Sequence, residues 1–232
     1  FVAMATTLFG AAFALLHLGS RGELGRLIAR EHVAGLALIG ALGTGLAFLL
    51  YYSGASRSSG IETALCIQIE PAYSLALSWL ALGHHPTRRR VIATFAILCG
   101  IAIAVGIERA SASPGVWLLL ATPFVWQLSH LVVLRGLPGV PPHELTAARY
   151  VYGGVMLTLM WWAQDGPSHL SAVANWPRLI ALLAVQGVIL SYAGTLLWYN
   201  AIARLDLTRA TSIVVPSIPV LSFAAGFVIL GE

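Results

Sequence analysis

Long apolar runs separated by short polar connections set the pattern of this chain. No charged residue occurs in 1–20, 33–56, 91–107, 110–134, 150–164, 179–203 or 210–231. Most of these runs are long enough, as helix, to cross about 30 Å of hydrocarbon. The segment 61–82 matches them in length but carries Glu62 and Glu70, which makes it the one span with carboxylates inside its limits. The pattern predicts an all-α polytopic membrane protein with eight visible transmembrane helices. The connections, roughly 5 to 15 residues each, are too short to bury a soluble core.

The polar and small positions repeat. EPAYSLALSWLALGH at 70–84 and IPVLSFAAGFVILGE at 218–232 share Pro, Ser, Ala, Leu and Gly in register, and the same offset (211 − 63 = 148) pairs Thr63 with Thr211 and Tyr51 with Tyr199. An internal duplication is the expected origin. The two repeats are expected at 1–108 and 109–232. Equivalent segments lie five helices apart, an odd number, so the copies must insert in opposite orientations, as in many secondary transporters. The visible spans are then the second to ninth of a ten-helix, five-plus-five chain, with about 33 residues expected before Phe1 and about 24 after Glu232.

Composition sharpens the class. Hydrophobic residues make up 58% and charged residues 9%, against about 25% charged in soluble domains, and mean hydropathy is +0.84. The net charge of +4 comes from arginines scattered over short loops, which excludes the basic patch of a nucleic-acid binder. Loops holding Arg21, Arg26, Arg30, Arg88, Arg89, Arg90, Arg135, Arg149, Arg204 and Arg209 alternate with loops holding only Arg57, Arg109 and Arg178, ten against three. The rich side is expected to be cytoplasmic, with both ends of the ten-helix chain there too. Trp161 and Trp162 fit an interfacial belt on the other side. Cys66 and Cys99 fall within spans, so they read as packing residues rather than a disulfide pair.

Candidate chemistry lies where polarity enters the spans. Pro71, Pro216 and Pro219 are expected to interrupt the fourth and ninth helices at matched depth, freeing backbone carbonyls either for a central site or simply to shape packing. Glu70 is an ionisable group inside a span, and such a group faces a bundle interior or a wet cavity. Thr63, Glu70 and Ser74 share one helical stripe. The second repeat keeps Thr211 and Ser222 but has Ile218 where the carboxylate would be. Glu70 is therefore the candidate for substrate binding and proton coupling, with a protonated structural role as the alternative. Gln127, His130, Tyr199 and Asn200 either line a cavity or bond helices together. Gly40, Gly43 and Gly45 lie inside a span and read as close helix packing. No catalytic, metal or cofactor signature appears.

The repeat, the Glu70-Pro71 step and Leu-Gly-Glu at 230–232 together resemble the EamA-type transporters of the drug/metabolite transporter superfamily. Pro219 to Glu232 matches the family's closing pattern; Pro71 to Gly83 matches it until His84 replaces the glutamate. The resemblance covers essentially the whole chain. It implies a carrier of small metabolites or drugs, usually an exporter, with a cavity between the halves. The substrate-binding candidates, read from polar and proline positions in the spans, are Glu70, Pro71, Ser74, Gln127, His130, Tyr199, Asn200, Pro216 and Pro219. The expected setting is the bacterial inner membrane, and the expected partners are a small-molecule substrate, membrane lipid and a second copy of the chain. The alternatives are a membrane-embedded enzyme acting on lipids or isoprenoids, and a non-transporting receptor on a carrier fold.

Overall fold

The computed structural model describes residues 1–107, 114–164, 166–167, 170 and 175–225. The described residues form helices and turns: α1 Val2–Ser20, α2 Val33–Ala55, α3 Gly60–Ile67, α4 Glu70–Leu82, α5 Arg88–Ile107, α6 Pro114–Gly136, α7 Pro142–Gln164, α8 Trp176–Arg204 and α9 Leu207–Ala225. Among the described residues five stretches are long and apolar enough to cross a membrane by length and composition: α1, α2, Glu62–Leu82, α6 and α8. The backbone widens to π geometry at Ala41–Leu46 within α2 and at Val185–Ala193 within α8. Adding the repeat offset of 148 to the first stretch gives 189–194, which overlaps the second.

The chain folds into two compact units, Phe1–Leu49 with Leu128–Ala203, and Leu50–Gln127 with Arg204–Glu232. In the first unit α1 and α2 pack on α7, and α1 also packs on α8. Small residues set these approaches, as expected where lipid leaves van der Waals packing to hold helices together. A Cβ on Gly153 of α7 would stand 2.6 Å from Thr44 Cβ, and one on Gly40 would stand 2.6 Å from Tyr152 Cβ. Gly45 takes Met156 and Gly43 takes Ser129 and Arg149 at equally short range. The close-packing reading of these α2 glycines is therefore the correct one.

The second unit holds the interrupted span. Ser59 and Glu62 cap α3 reciprocally: the Glu62 amide donates to Ser59 Oγ at 3.1 Å and the Ser59 amide to Glu62 Oε2 at 2.8 Å. The helix then stops at Ile67. Pro71 has no amide hydrogen to offer the Ile67 carbonyl four residues back, so the chain turns through Gln68 and Ile69 and restarts at Glu70. There Pro71 falls in a first turn, where no donor is missed. Gly83 ends α4 at φ +70°, with the His84 amide donating to the Ser78 carbonyl at 3.1 Å. That left-handed cap needs a residue without Cβ, which gives the Leu-Gly step at 82–83 a physical reason. Cys66, Val116 and Leu119 form the buried core between α3 and α6, flanked by Tyr51, Ala55 and Leu120.

Two expectations fail here. The interruption at Pro71 has no counterpart at Pro216 and Pro219, because helical backbone continues through both from Leu207 to Ala225. Losing single bonds to the Ser212 and Val215 carbonyls does not end a helix that is continued on both sides. Arg149 is not a loop residue but lies inside α7, 8% exposed. Removing it leaves nine arginines in connections or at helix ends against Arg57 and Arg178 among the described residues, with Arg109 lying outside them. Ser222 belongs to the helix but not to the described side chains, and Leu230 to Glu232 lie outside the described residues.

Candidate functional site

In the second unit, the site is built on the restart of the interrupted span. Glu70 opens α4, where the helix dipole favours a carboxylate. Gln127, near the middle of α6, donates from Nε2 to Glu70 Oε1 at 2.7 Å, and both side chains are buried. Ser74, one turn after Glu70, is fully buried and its hydroxyl has no hydrogen-bond partner. Gln127 Oε1 and Trp126 Nε1 are likewise buried without a partner. Thr63, the third member of the predicted stripe, is buried with its hydroxyl bonded to the Ser59 carbonyl at 2.9 Å. Apolar helices thus carry a group of polar atoms whose hydrogen-bonding capacity is only partly used, an arrangement that is costly unless a ligand or water completes it.

The first unit contains a second polar cluster, centred on Arg149. Its Nη2 donates to the Gly43 carbonyl at 2.6 Å and its Nε to Thr44 Oγ1 at 3.1 Å. Both acceptors belong to the π-widened stretch of α2, where backbone carbonyls are displaced from regular helical bonding. No carboxylate lies within ion-pair distance of Arg149 among the described residues. The Tyr199 hydroxyl, fully buried, lies beside Arg149 and Ser129 without completing a hydrogen bond. His130 stacks edge-on to Tyr199 with centroids 6.2 Å apart, and its Nε2 accepts from Trp198 Nε1 at 2.9 Å. A neutral imidazole accepting at Nε2 carries its proton on Nδ1, and that Nδ1 is buried and unpartnered.

The predicted residues therefore divide into two groups. Glu70, Pro71, Ser74 and Gln127 come together in the second unit; His130 and Tyr199 come together in the first. Asn200 joins neither, because its Nδ2 donates to the Leu196 carbonyl of its own helix at 2.8 Å. The side chains of Pro216 and Pro219 lie outside the described residues. Arg149, Ser129 and Thr44 were not singled out by sequence. Delimiting spans by absence of charge excludes a functional charge by construction, since the run 150–164 begins at 150 only because Arg149 ends it. The signal available was the small and aromatic sequence around it, Ala147-Ala148-Arg149-Tyr150, which suits a helix interior better than a loop.

Ion pairs gather away from these clusters. Glu23 binds His143 Nε2 at 2.9 Å and Arg21 Nε at 3.2 Å, and Arg26 pairs with Glu144. Burial works against the Glu23 charge, but the bond to His143 and the charges of Arg26 and Arg21 outweigh it and hold the carboxyl below its ordinary range. Glu23, His143 and Glu144 place ligand atoms within 4.8 Å of one another, though arginines already engage both carboxylates. In the second unit Asp206 caps α9, accepting the Arg209 amide at 2.7 Å, and receives the Arg90 fork at 2.9 and 3.3 Å.

Comparison with known proteins agrees with this picture of buried polarity in an apolar helical chain. Residues 1–106 and 113–232 match the EamA-like transporter family. Protein PecM of Dickeya dadantii (strain 3937) is 24% identical over 205 residues, covering 85% of this chain and 66% of its own length. The chain thus spans just under two thirds of that relative. With the family match extending over nearly every residue, the chain is an integral membrane protein that belongs to the EamA-like transporter family.

Proposed function

We propose that this protein is a secondary transporter that exports a small metabolite or drug-like molecule across the bacterial inner membrane by exposing a polar site alternately to its two sides. The observation that carries this reading, beside the family, is the carboxylate of Glu70 held by Gln127 at the break between α3 and α4. Discontinuous helices whose ends face substrate or coupling ions are a recurring device of such carriers. Ten helices in two inverted repeats, 1–108 and 109–232, provide the scaffold, with eight spans in this chain and both ends of the complete protein cytoplasmic. The paired family matches and the corresponding π stretches of α2 and α8 support that duplication. Glu70 carries the coupling proton, Ser74 and Gln127 complete its site, and the protein works as a homodimer. A lipid-processing enzyme would need free metal or nucleophile groups, and the one acid–histidine cluster among the described residues is bound up with arginines.

The test begins by comparing metabolites in the medium of cells that lack or overproduce the protein. The exported compound is then followed in proteoliposomes with and without an imposed pH gradient. Wild-type flux is expected to rise with the gradient, and Glu70→Gln, which has no titratable proton, is expected to lose that response. Flux identical in the two proteins under every condition would remove Glu70 from the mechanism.

A further inference from the structure

The cluster in the first unit has a chemical sign. Each group in it with unused capacity can donate or carries positive charge: the Arg149 guanidinium, without a carboxylate partner among the described residues, the Nδ1–H of His130 and the O–H of Tyr199. All three side chains are more than nine-tenths buried. Arg149 makes two bonds, both to neutral oxygens of α2, so its charge is solvated but not neutralised. An uncompensated cation at this depth in a helical bundle is costly, and the cost is relieved when an anion arrives. If Arg149 served only to join α2 to α7, its neutral acceptors would suffice, but the two neighbouring buried donors would then have no purpose and each would carry a desolvation penalty.

We propose that Arg149, His130 and Tyr199 form the binding site for the carboxylate of an organic anion, and hence that the transported compound is a carboxylic acid in its ionised form. The binding site stands without the transport reading; the statement about the transported compound rests on it. A planar guanidinium suits a carboxylate in a way a point charge does not. The Trp198 bond to Nε2 fixes the His130 tautomer that offers Nδ1–H, so Trp198 is a positioning residue. Ser129, whose hydroxyl donates to the Ile39 carbonyl at 3.3 Å, packs with Arg149 against Gly43. A methyl group on Gly43 would collide with both Ser129 and Arg149.

The experiment is isothermal titration of the purified full-length protein in lipid nanodiscs with benzoate, butyrate and succinate, against benzamide and butylamine as neutral and cationic controls. At least one carboxylate is expected to bind and both controls to fail. Tyr199→Phe is expected to weaken carboxylate binding by about tenfold, the effect of one hydrogen bond to a charged group, with thermal stability unchanged or raised because the lost hydroxyl had no partner. Arg149→Lys is expected to weaken it further by losing the fork. No carboxylate binding, equal binding of benzoate and benzamide, or binding that ignores both substitutions would overturn the proposal. A protein that exports only cations or neutral compounds would overturn it while leaving the transport reading standing. Carboxylate binding without flux in any direction would support the site but overturn the transport reading and, with it, the statement that a carboxylic acid is carried.

Discussion

Substituting Gly187 by alanine tests how closely the helices of the first unit approach. The added methyl would overlap the Thr6 carbonyl and lie 2.9 Å from Phe9 Cβ and 3.2 Å from the Gly10 amide nitrogen. Ordinary carbon contacts are about 3.5–4.0 Å, so α1 and α8 must separate by roughly 0.5–1 Å, which forfeits a quarter to a half of the dispersion attraction of each atom pair along the seam. Backbone cannot swing aside as a side chain can, and overpacking of this kind costs about 1–3 kcal/mol. For a chain of this size each kcal/mol lowers the melting temperature by roughly 2–4 °C. Gly187→Ala is therefore expected to melt about 4–8 °C below wild type at the middle of that range, followed by tryptophan fluorescence in detergent. Gly194→Ala is the control: its Cβ would meet nothing within 4 Å, and a helical glycine replaced by alanine is neutral or stabilising by up to about 1 kcal/mol. Equal melting temperatures for the two variants would refute the backbone contact.

Two further outcomes can be checked. Burial opposes the charge of Asp206, but the Arg209 amide and the Arg90 guanidinium prevail and hold its carboxyl below the ordinary range. Its contribution is therefore present above the unfolded value and lost as pH falls through the lower folded one. Asp206→Ala is expected to cost about 1 kcal/mol at pH 7 in thermal unfolding and progressively less as pH falls below the ordinary aspartate range; a cost independent of pH would contradict the assignment. Arg57 and Leu205 occupy equivalent positions in the two repeats (57 + 148 = 205). Single cysteines placed there in a cysteine-free background are expected to react with an impermeant maleimide from opposite sides of the membrane, and reaction from one side would end the inverted-repeat reading.

Apolar run length alone was enough to read the helical, membrane-embedded class, because in lipid every backbone group must be satisfied within its own segment. Glu70 was legible for a related reason: a carboxylate stands out where charge is expensive, and the structure finds it buried and bonded. Its partner Gln127 was visible only as one polar residue among several, since helix rotation decides which of them meet and no local pattern fixes rotation. The break before Pro71 followed from a missing amide, yet the same chemistry at Pro216 and Pro219 left the backbone helical. Proline removes a bond in each place; whether the chain departs there depends on what the neighbouring turns gain by leaving. Arg149 is not legible from charge placement, because contacts with Gly43 and Thr44, distant in sequence, let a charge lie inside a helix.

The widened stretch of α8 gives residue count a meaning it lacks elsewhere in that helix. Each residue advances a regular helix by about 100°, and the wider turns of Val185–Ala193 delay that advance before Trp198 and Tyr199 are reached. Both rings owe their compass bearing to the slack taken up upstream. A single deletion there, harmless in many surface loops, would swing the indole away from His130 and the phenol away from Arg149 together. The spacing between residues 185 and 198 is thus a tuned length, and its tolerance to insertion or loss should be far narrower than its unremarkable aliphatic composition suggests.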